Sequence, residues 1–268
     1  GVEKVYEPIL VGKQGSQDVE TDARGRVLRV LDQVDPTAGS TLELHLDANL
    51  QHLADRALGD HRGAVVAIEI ATGGVLAAVS KPTFDPNMFV TGISFKEYAA
   101  LRDDLDIPLF NRIMQGQYPP GSTVKPIIAL AGLVNKTITT RTTVLDPGYY
   151  ILPGEERRFR DWKPKGHGHR INMHQAIAMS CDTYYYDLGY RLGIDKLSSF
   201  VGMFGLGERT GVEMTSERPG LLPSREWKRG ARGLPWFPGD TLNVSIGQGD
   251  MLTTPMQLAA STAILAAK

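Results

Sequence analysis

In the stretch QYPPGSTVKPIIALAG, Ser122 and Lys125 stand three residues apart behind two prolines and a glycine. A serine hydroxyl is a weak nucleophile until a neighbouring base takes its proton, and a lysine amine serves as that base when its surroundings favour the neutral form. Three residues is nearly one helical turn, so the spacing puts both side chains on one side of a helix. Pro126 has no N–H for the carbonyl four residues back, so it fits cheaply only if Ser122 lies at the helix start. There the free backbone N–H groups offer part of an oxyanion hole. The pair suits covalent acyl transfer. Taken alone, the same four residues also describe a serine cap followed by a solvated lysine.

A second constellation follows. Asp146 in LDPG, Asp161 in RDW, His167 and His169 in GHGH, and Cys181 in SCD all fall in or beside the loop-rich stretch after the Ser122 helix. One thiolate, one imidazole and two carboxylates form a four-ligand set of the kind zinc takes. The expected ligands are Asp146, Asp161, His167 and Cys181, with His167 ahead of His169. The spacing matches no standard zinc motif, and GHGH also reads as a solvated or substrate-facing loop. A long insertion with little secondary structure of its own needs some anchor, and a structural zinc would supply it. No cofactor is expected for the chemistry itself.

The elements that must position these residues are partly visible. VYEPIL and GRVLRVLDQV read as short strands with turn-rich punctuation between them, the remnant of a small β-rich module. LDANLQHLADRALGDH is an amphipathic helix capped by Asp47. GAVVAIEI and VLAAVS, separated by ATGG, read as a hairpin of apolar strands covered on both faces. PIIALAGLV, MHQAIAM, DTYYYDLGYRLG and TPMQLAASTAILAA are helical, the last with Pro255 in its first turn behind Thr254.

Composition narrows the classes. The chain has 268 residues with 30 acidic and 29 basic side chains, so nothing global draws it to nucleic acid or to an anionic membrane surface. It has no run of 18 apolar residues and no signal-peptide layout, so any membrane anchor would lie outside it. A single cysteine excludes an internal disulfide. GEERRFRDWKPKGHGHR is basic with two aromatics and reads as a solvated loop flanking the cleft rather than an RNA site. SIGQGD lacks the residues of a phosphate loop and reads as a tight connection beside the active site. Tyr184, Tyr185 and Tyr186 read as core or cleft wall, and Trp162 and Trp236 as groove or packing.

Five stretches together resemble one family. GAVVAIEIATGGVLAAVSKPTFDPN, YPPGSTVKP, GHGHRINMHQAIAMSCDTYYYDLGYRLGID, FGLGERTGVEM and GDTLNVSIGQGDMLTTPMQLA occur in the order found in the transpeptidase domain of class B penicillin-binding proteins, those of cell-wall elongation above all. The resemblance implies an α/β fold of the α+β type shared with serine β-lactamases, an antiparallel sheet covered by helices. Residues 1–40 would be a pedestal remnant and residues 41–268 the transpeptidase domain.

By the same resemblance Ser122 is the acylated nucleophile, Lys125 its general base, and Ser180 the proton relay of the second motif. Asp182 stands where many relatives carry Asn. The third motif, Lys-Thr-Gly, has no match up to Lys268, which implies that the transpeptidase domain continues beyond this chain. The implied reaction is D,D-transpeptidation of peptidoglycan stem peptides, with β-lactams acylating the same serine. The implied partners are a SEDS-type glycosyltransferase and elongation scaffold proteins, at the periplasmic face of a bacterial inner membrane reached through an anchor. A serine β-lactamase and a non-catalytic penicillin sensor or scaffold subunit are the alternatives.

Overall fold

Val2, Val5, Tyr6 and Leu10 recur at helical spacing and form the half-buried side of helix α1 (Val2–Leu10) in the computed structural model, which describes residues 1–90 and 92–267. The strand expected over VYEPIL is thus corrected to a helix. Spacing of three and four outweighs the β preference of Val, Tyr and Ile, and Pro8, near the helix end, removes only one backbone bond. Strands β1 (Ser16–Thr21) and β2 (Val27–Val34) pair antiparallel. Asp22 shapes the connection by accepting the N–H groups of Arg24 and Arg26 at 2.8 and 3.0 Å. Residues Gly1–His45, with Gly211–Ser216, make up one compact unit.

The other unit begins at Leu46. Asp47 caps α2 (Ala48–Leu58) by accepting from Asn49 and Leu50 N–H, as its sequence position predicts. Strands β3 (Gly63–Ile68) and β4 (Val75–Lys81) form the expected hairpin. Leu50, Ala54 and Leu58 pack onto Val65, Ala67, Ala77 and Val79, which covers the sheet with a helix. Then come α3 (Phe95–Arg102), closed by a Ser94/Glu97 capping box, and α4 (Arg112–Gln115), capped by Asn111. A single 3-10 turn, Gly121–Val124, leads into α5 (Lys125–Val134).

Between α5 and the second serine motif the chain is not the loop that its sequence implies. Strands β5 (Thr143–Asp146), β6 (Tyr149–Ile151), β7 (Arg158–Arg160) and β8 (Gly168–Asn172) form nested hairpins, β6 with β7 inside β5 with β8. Strands of three to five residues are too short for a period of two to register in sequence. The inner hairpin turns Phe159 onto Tyr186 and Leu242 and leaves Arg158 and Arg160 exposed.

Helices α6 (Met173–Ala178), α7 (Asp182–Leu192) and α8 (Ile194–Gly202) follow, then α9 (Arg225–Arg232), α10 (Pro238–Val244) and α11 (Pro255–Ala266). Thr254 caps α11 in a capping box with Gln257, and Pro255 occupies its first turn as expected. Whether Lys268 continues this helix falls outside the described residues. The main core joins α5, α7 and α8 through Ile128, Tyr184, Tyr185, Leu188 and Leu197, so the three tyrosines are core, with Tyr186 on the smaller cluster beside it. The architecture is mixed, with antiparallel hairpins packed among helices. No helix among the described residues is long and apolar enough to cross a membrane.

Candidate active site and metal centre

Ser122 is exposed in the 3-10 turn, while Lys125, at the first position of α5, is 1% exposed. Pro126 falls in the first helical turn, which is where its missing N–H costs nothing. The turn is held from behind. Gly121 N–H donates to Gly247 O at 2.8 Å, and Tyr118 exchanges backbone hydrogen bonds with Thr253 at 2.9 and 2.8 Å. Gly247 has φ +70°, and a Cβ there would lie 2.2 Å from Gly121 O, so only glycine allows this approach. SIGQGD is the tight connection its sequence suggests, set directly against the serine turn.

The second motif arrives from the other side. Residues 179–181 link α6 to α7, and Ser180 takes φ +54°, a left-handed conformation rare for a residue other than glycine. That conformation accompanies an Oγ contact 2.7 Å from Ser122 Oγ. Lys125 Nζ donates to Ser180 O at 2.9 Å, to Ser180 Oγ at 3.1 Å and to Asp182 Oδ1 at 2.6 Å. Its Nζ also lies 5.3 Å from the Tyr185 ring centre. Ser122 and Lys125 are thus joined through Ser180, whereas the i,i+3 spacing alone suggests a direct contact. Asp182 reaches Lys125 while standing at the first position of α7.

Trp162 is the residue that sequence reasoning leaves undecided between groove and packing. Its backbone N–H donates to Asp182 Oδ2 and its indole Nε1–H to Met179 O, both at 3.2 Å, although the side chain is 62% exposed. The only sequence signal for this was its position directly after Asp161. Trp236 is packing, half-buried against the main core with its Nε1–H on Thr241 Oγ1 at 2.8 Å.

The four expected metal ligands come together. One ligand atom from each of Asp146, Asp161, His167 and Cys181 lies within 4.8 Å of all the others. Asp146 ends β5, Asp161 follows β7, His167 precedes β8 and Cys181 directly precedes α7, so the nested hairpins are what gather them. Gly166, φ +68°, lets the loop close: a Cβ there would meet Asp146 O at 2.0 Å. His169 is exposed on β8 and outside the cluster.

Within the cluster, Asp146 Oδ1 accepts Gly148 N–H at 2.8 Å and Oδ2 lies 2.6 Å from His167 Nδ1 and 3.4 Å from Cys181 Sγ. His167 Nδ1 is 3.7 Å from Asp161 Oδ1, and His167 Nε2 is buried without a hydrogen-bond partner among the described residues. Burial works to raise the Asp146 carboxyl, but the hydrogen bonds it accepts outweigh this and hold it below the usual carboxylate range. Burial pushes the Cys181 thiol far up, and the nearby Asp146 and Asp161 push it further, only partly offset by a backbone contact from Tyr184.

A tetrahedral zinc with bonds of about 2.0–2.3 Å would place its ligands about 3.3–3.8 Å apart. Among the described residues no lysine or arginine pairs with these two buried carboxyl groups, and a dication is a partner that their oxygens would accept. The donor set and geometry fit a structural metal.

Comparison with known proteins identifies the family. The Penicillin binding protein transpeptidase domain matches residues 63–268, and the Penicillin-binding Protein dimerisation domain matches residues 1–44. The peptidoglycan D,D-transpeptidase MrdA of Acinetobacter baumannii is 52% identical over 266 residues, 99% of this chain and 39% of that protein. The Pseudomonas aeruginosa PBP2 structure in complex with WCK 5153 superposes with a TM-score of 0.85 at 52% identity, over 87% of this chain and 50% of that one. The Helicobacter pylori PBP2 structure in complex with MreC gives a TM-score of 0.92 at 39% identity, over 99% of this chain and 50% of that one. The chain spans about two fifths of the length of such curated relatives. With the transpeptidase match covering residues 63–268 and the fold shared with these structures, the chain belongs to the penicillin-binding protein transpeptidase family.

Proposed function

We propose that the protein of which this chain is part is a peptidoglycan D,D-transpeptidase acting through a serine acyl-enzyme. The observation that carries this is the relay Ser122 Oγ, Ser180 Oγ, Lys125 Nζ, with steps of 2.7 and 3.1 Å. Ser122 Oγ attacks the carbonyl between the two terminal D-alanines of a stem peptide, and its proton passes through Ser180 to Lys125 in the neutral amine form. As the C–N bond breaks, the proton returns along the same chain to the leaving amine of D-Ala. An amine from a neighbouring strand then attacks the acyl-enzyme, gives up its proton to the relay and frees Ser122. Asp182 accepts from Lys125 Nζ throughout, fixing the lysine against the Ser180 turn. β-Lactams would acylate the same oxygen.

Asp146, Asp161, His167 and Cys181 would hold a structural zinc. When bound, the ion supplies positive charge to two buried carboxylates and cross-links the nested hairpins to the start of α7. The chemistry takes place without it as a reactant. Attachment to a bacterial inner membrane at its periplasmic face, and work beside a SEDS-type glycosyltransferase and an elongation scaffold, belong to the same reading. The Helicobacter pylori PBP2–MreC complex supports the scaffold part.

The test is intact-mass detection of a penicillin adduct on the full-length protein. One acyl group per chain is expected on the wild type and none on Ser122→Ala. Undiminished labelling of the Ser122→Ala protein would overturn the assignment.

A further inference from the structure

We propose that Trp162 is a positioning residue for the acylation step, holding the Ser180 turn in its catalytic shape. This rests on the reading of Ser180 as the proton relay. A large aromatic side chain left 62% exposed gives up most of its burial, so its orientation must come from specific contacts. Both of its N–H groups are committed, the indole to Met179 O and the backbone to Asp182 Oδ2, each at 3.2 Å. These acceptors bracket the left-handed Ser180, φ +54°. An L residue favours negative φ, so the turn tends to relax unless both ends are tied.

The two bonds have separate consequences. The indole bond fixes the carbonyl that precedes Ser180 and thereby the direction of Ser180 Oγ, which must stay 2.7 Å from Ser122 Oγ. The backbone bond occupies Asp182 Oδ2 and leaves Oδ1 to Lys125. Trp162 also directly follows Asp161, and its ring centre lies 5.5 Å from that of His167, so one residue ties the sealed cluster to the open serine site.

The experiment follows acylation of the full-length protein by a fluorescent penicillin, resolved into the binding constant and the first-order acylation rate. Trp162→Phe keeps a ring and removes the donor. A second variant carries β-(3-benzothienyl)alanine at position 162, which keeps the indole shape and replaces its N–H by sulfur. In both, the acylation rate is expected to fall about fivefold to tenfold, the loss of one hydrogen bond, with the binding constant and melting temperature unchanged. Wild-type acylation in the benzothienyl variant overturns the proposal, whether or not Trp162→Phe folds. A raised binding constant with an unchanged rate also overturns it, since the ring would then be a ligand contact. The Ser122→Ala control, run alongside, shows separately whether the acyl-enzyme reading itself holds.

Discussion

The turn from Met179 to Thr183 has two faces, and they solve the problem of buried charge in opposite ways. Ser180 and Asp182 face an open site where the amine of Lys125, 1% exposed, donates to Asp182 Oδ1 at 2.6 Å and so gives that carboxylate a partner within the protein. Cys181 and Thr183 face a sealed cluster that holds the carboxyl groups of Asp146 and Asp161, and among the described residues no lysine or arginine pairs with them. A buried charge is tolerated when it is paired, so the first face is complete within the protein and the second calls for a cation from outside it. The difference teaches that one short peptide can hold a reactive group and an anchor side by side, provided that successive residues point in opposite directions.

The largest effect that would sharpen this contrast comes from removing the lysine that partners Asp182. Lys125→Ala is expected to slow acylation by about a thousandfold, the middle of the range for loss of a proton acceptor. It also leaves Asp182 Oδ1 without its partner, so the melting temperature falls as well, by an amount that differential scanning calorimetry reads. Equal acylation in wild type and variant would remove Lys125 from the mechanism.

Next is a change that reaches the open face without touching a charge. Gly247→Ala puts a methyl group where Gly121 O already stands and displaces the serine turn, so acylation is expected to drop about a hundredfold, as for a misplacement near 1 Å. Zinc content should not change. If the metal were lost as well, the two faces would not be separable as described.

Cys181→Ser works on the sealed face alone. Elemental analysis of protein purified without chelator or affinity-tag metal should give about one zinc per wild-type chain and clearly less in the variant, with a melting temperature lower by roughly 5 °C or more. A metal-free wild type whose stability ignores both chelators and added zinc would leave the cluster without its cation and break the comparison.

The smallest effect lies in the core behind both faces. Tyr184 is buried, its hydroxyl has no hydrogen-bond partner among the described residues, and burial pushes its phenol up to about 12. A raised folded value means that its stabilisation is complete below pH 10, the ordinary phenol value, and is lost as pH rises from there through about 12. Tyr184→Phe should therefore match or slightly exceed wild-type stability at pH 7 and lose less of it across that alkaline window. Thermal melts at a series of pH values check this. A steeper alkaline loss in the variant would contradict it.

The residues themselves determined a good deal. Asp47 and Thr254 mark helix starts because a cap and its N–H partners lie within three residues of each other, and such rules act locally. The β3–β4 hairpin, the buried tyrosines and the placement of Pro126 at a helix start follow from the same short-range logic. The donor types of Asp146, Asp161, His167 and Cys181 were legible as chemistry, and the family resemblance fixed the expected roles of Ser122, Lys125 and Ser180.

What only the tertiary structure decided is how these groups meet. Ser180 lies 58 residues from Ser122 and Cys181 lies 35 from Asp146, separations over which no propensity or period carries information. The relay through Ser180, the nested hairpins that gather the four ligands and the double anchoring by Trp162 depend on packing of α5 against α7 and on strands too short to announce themselves. Helix α1 shows the same limit at close range, where two local preferences compete and the burial of one face decides between them. Local chemistry acts across a few residues and is written in the sequence, whereas the direction in which Ser180 or Trp162 points is set by every element packed behind it.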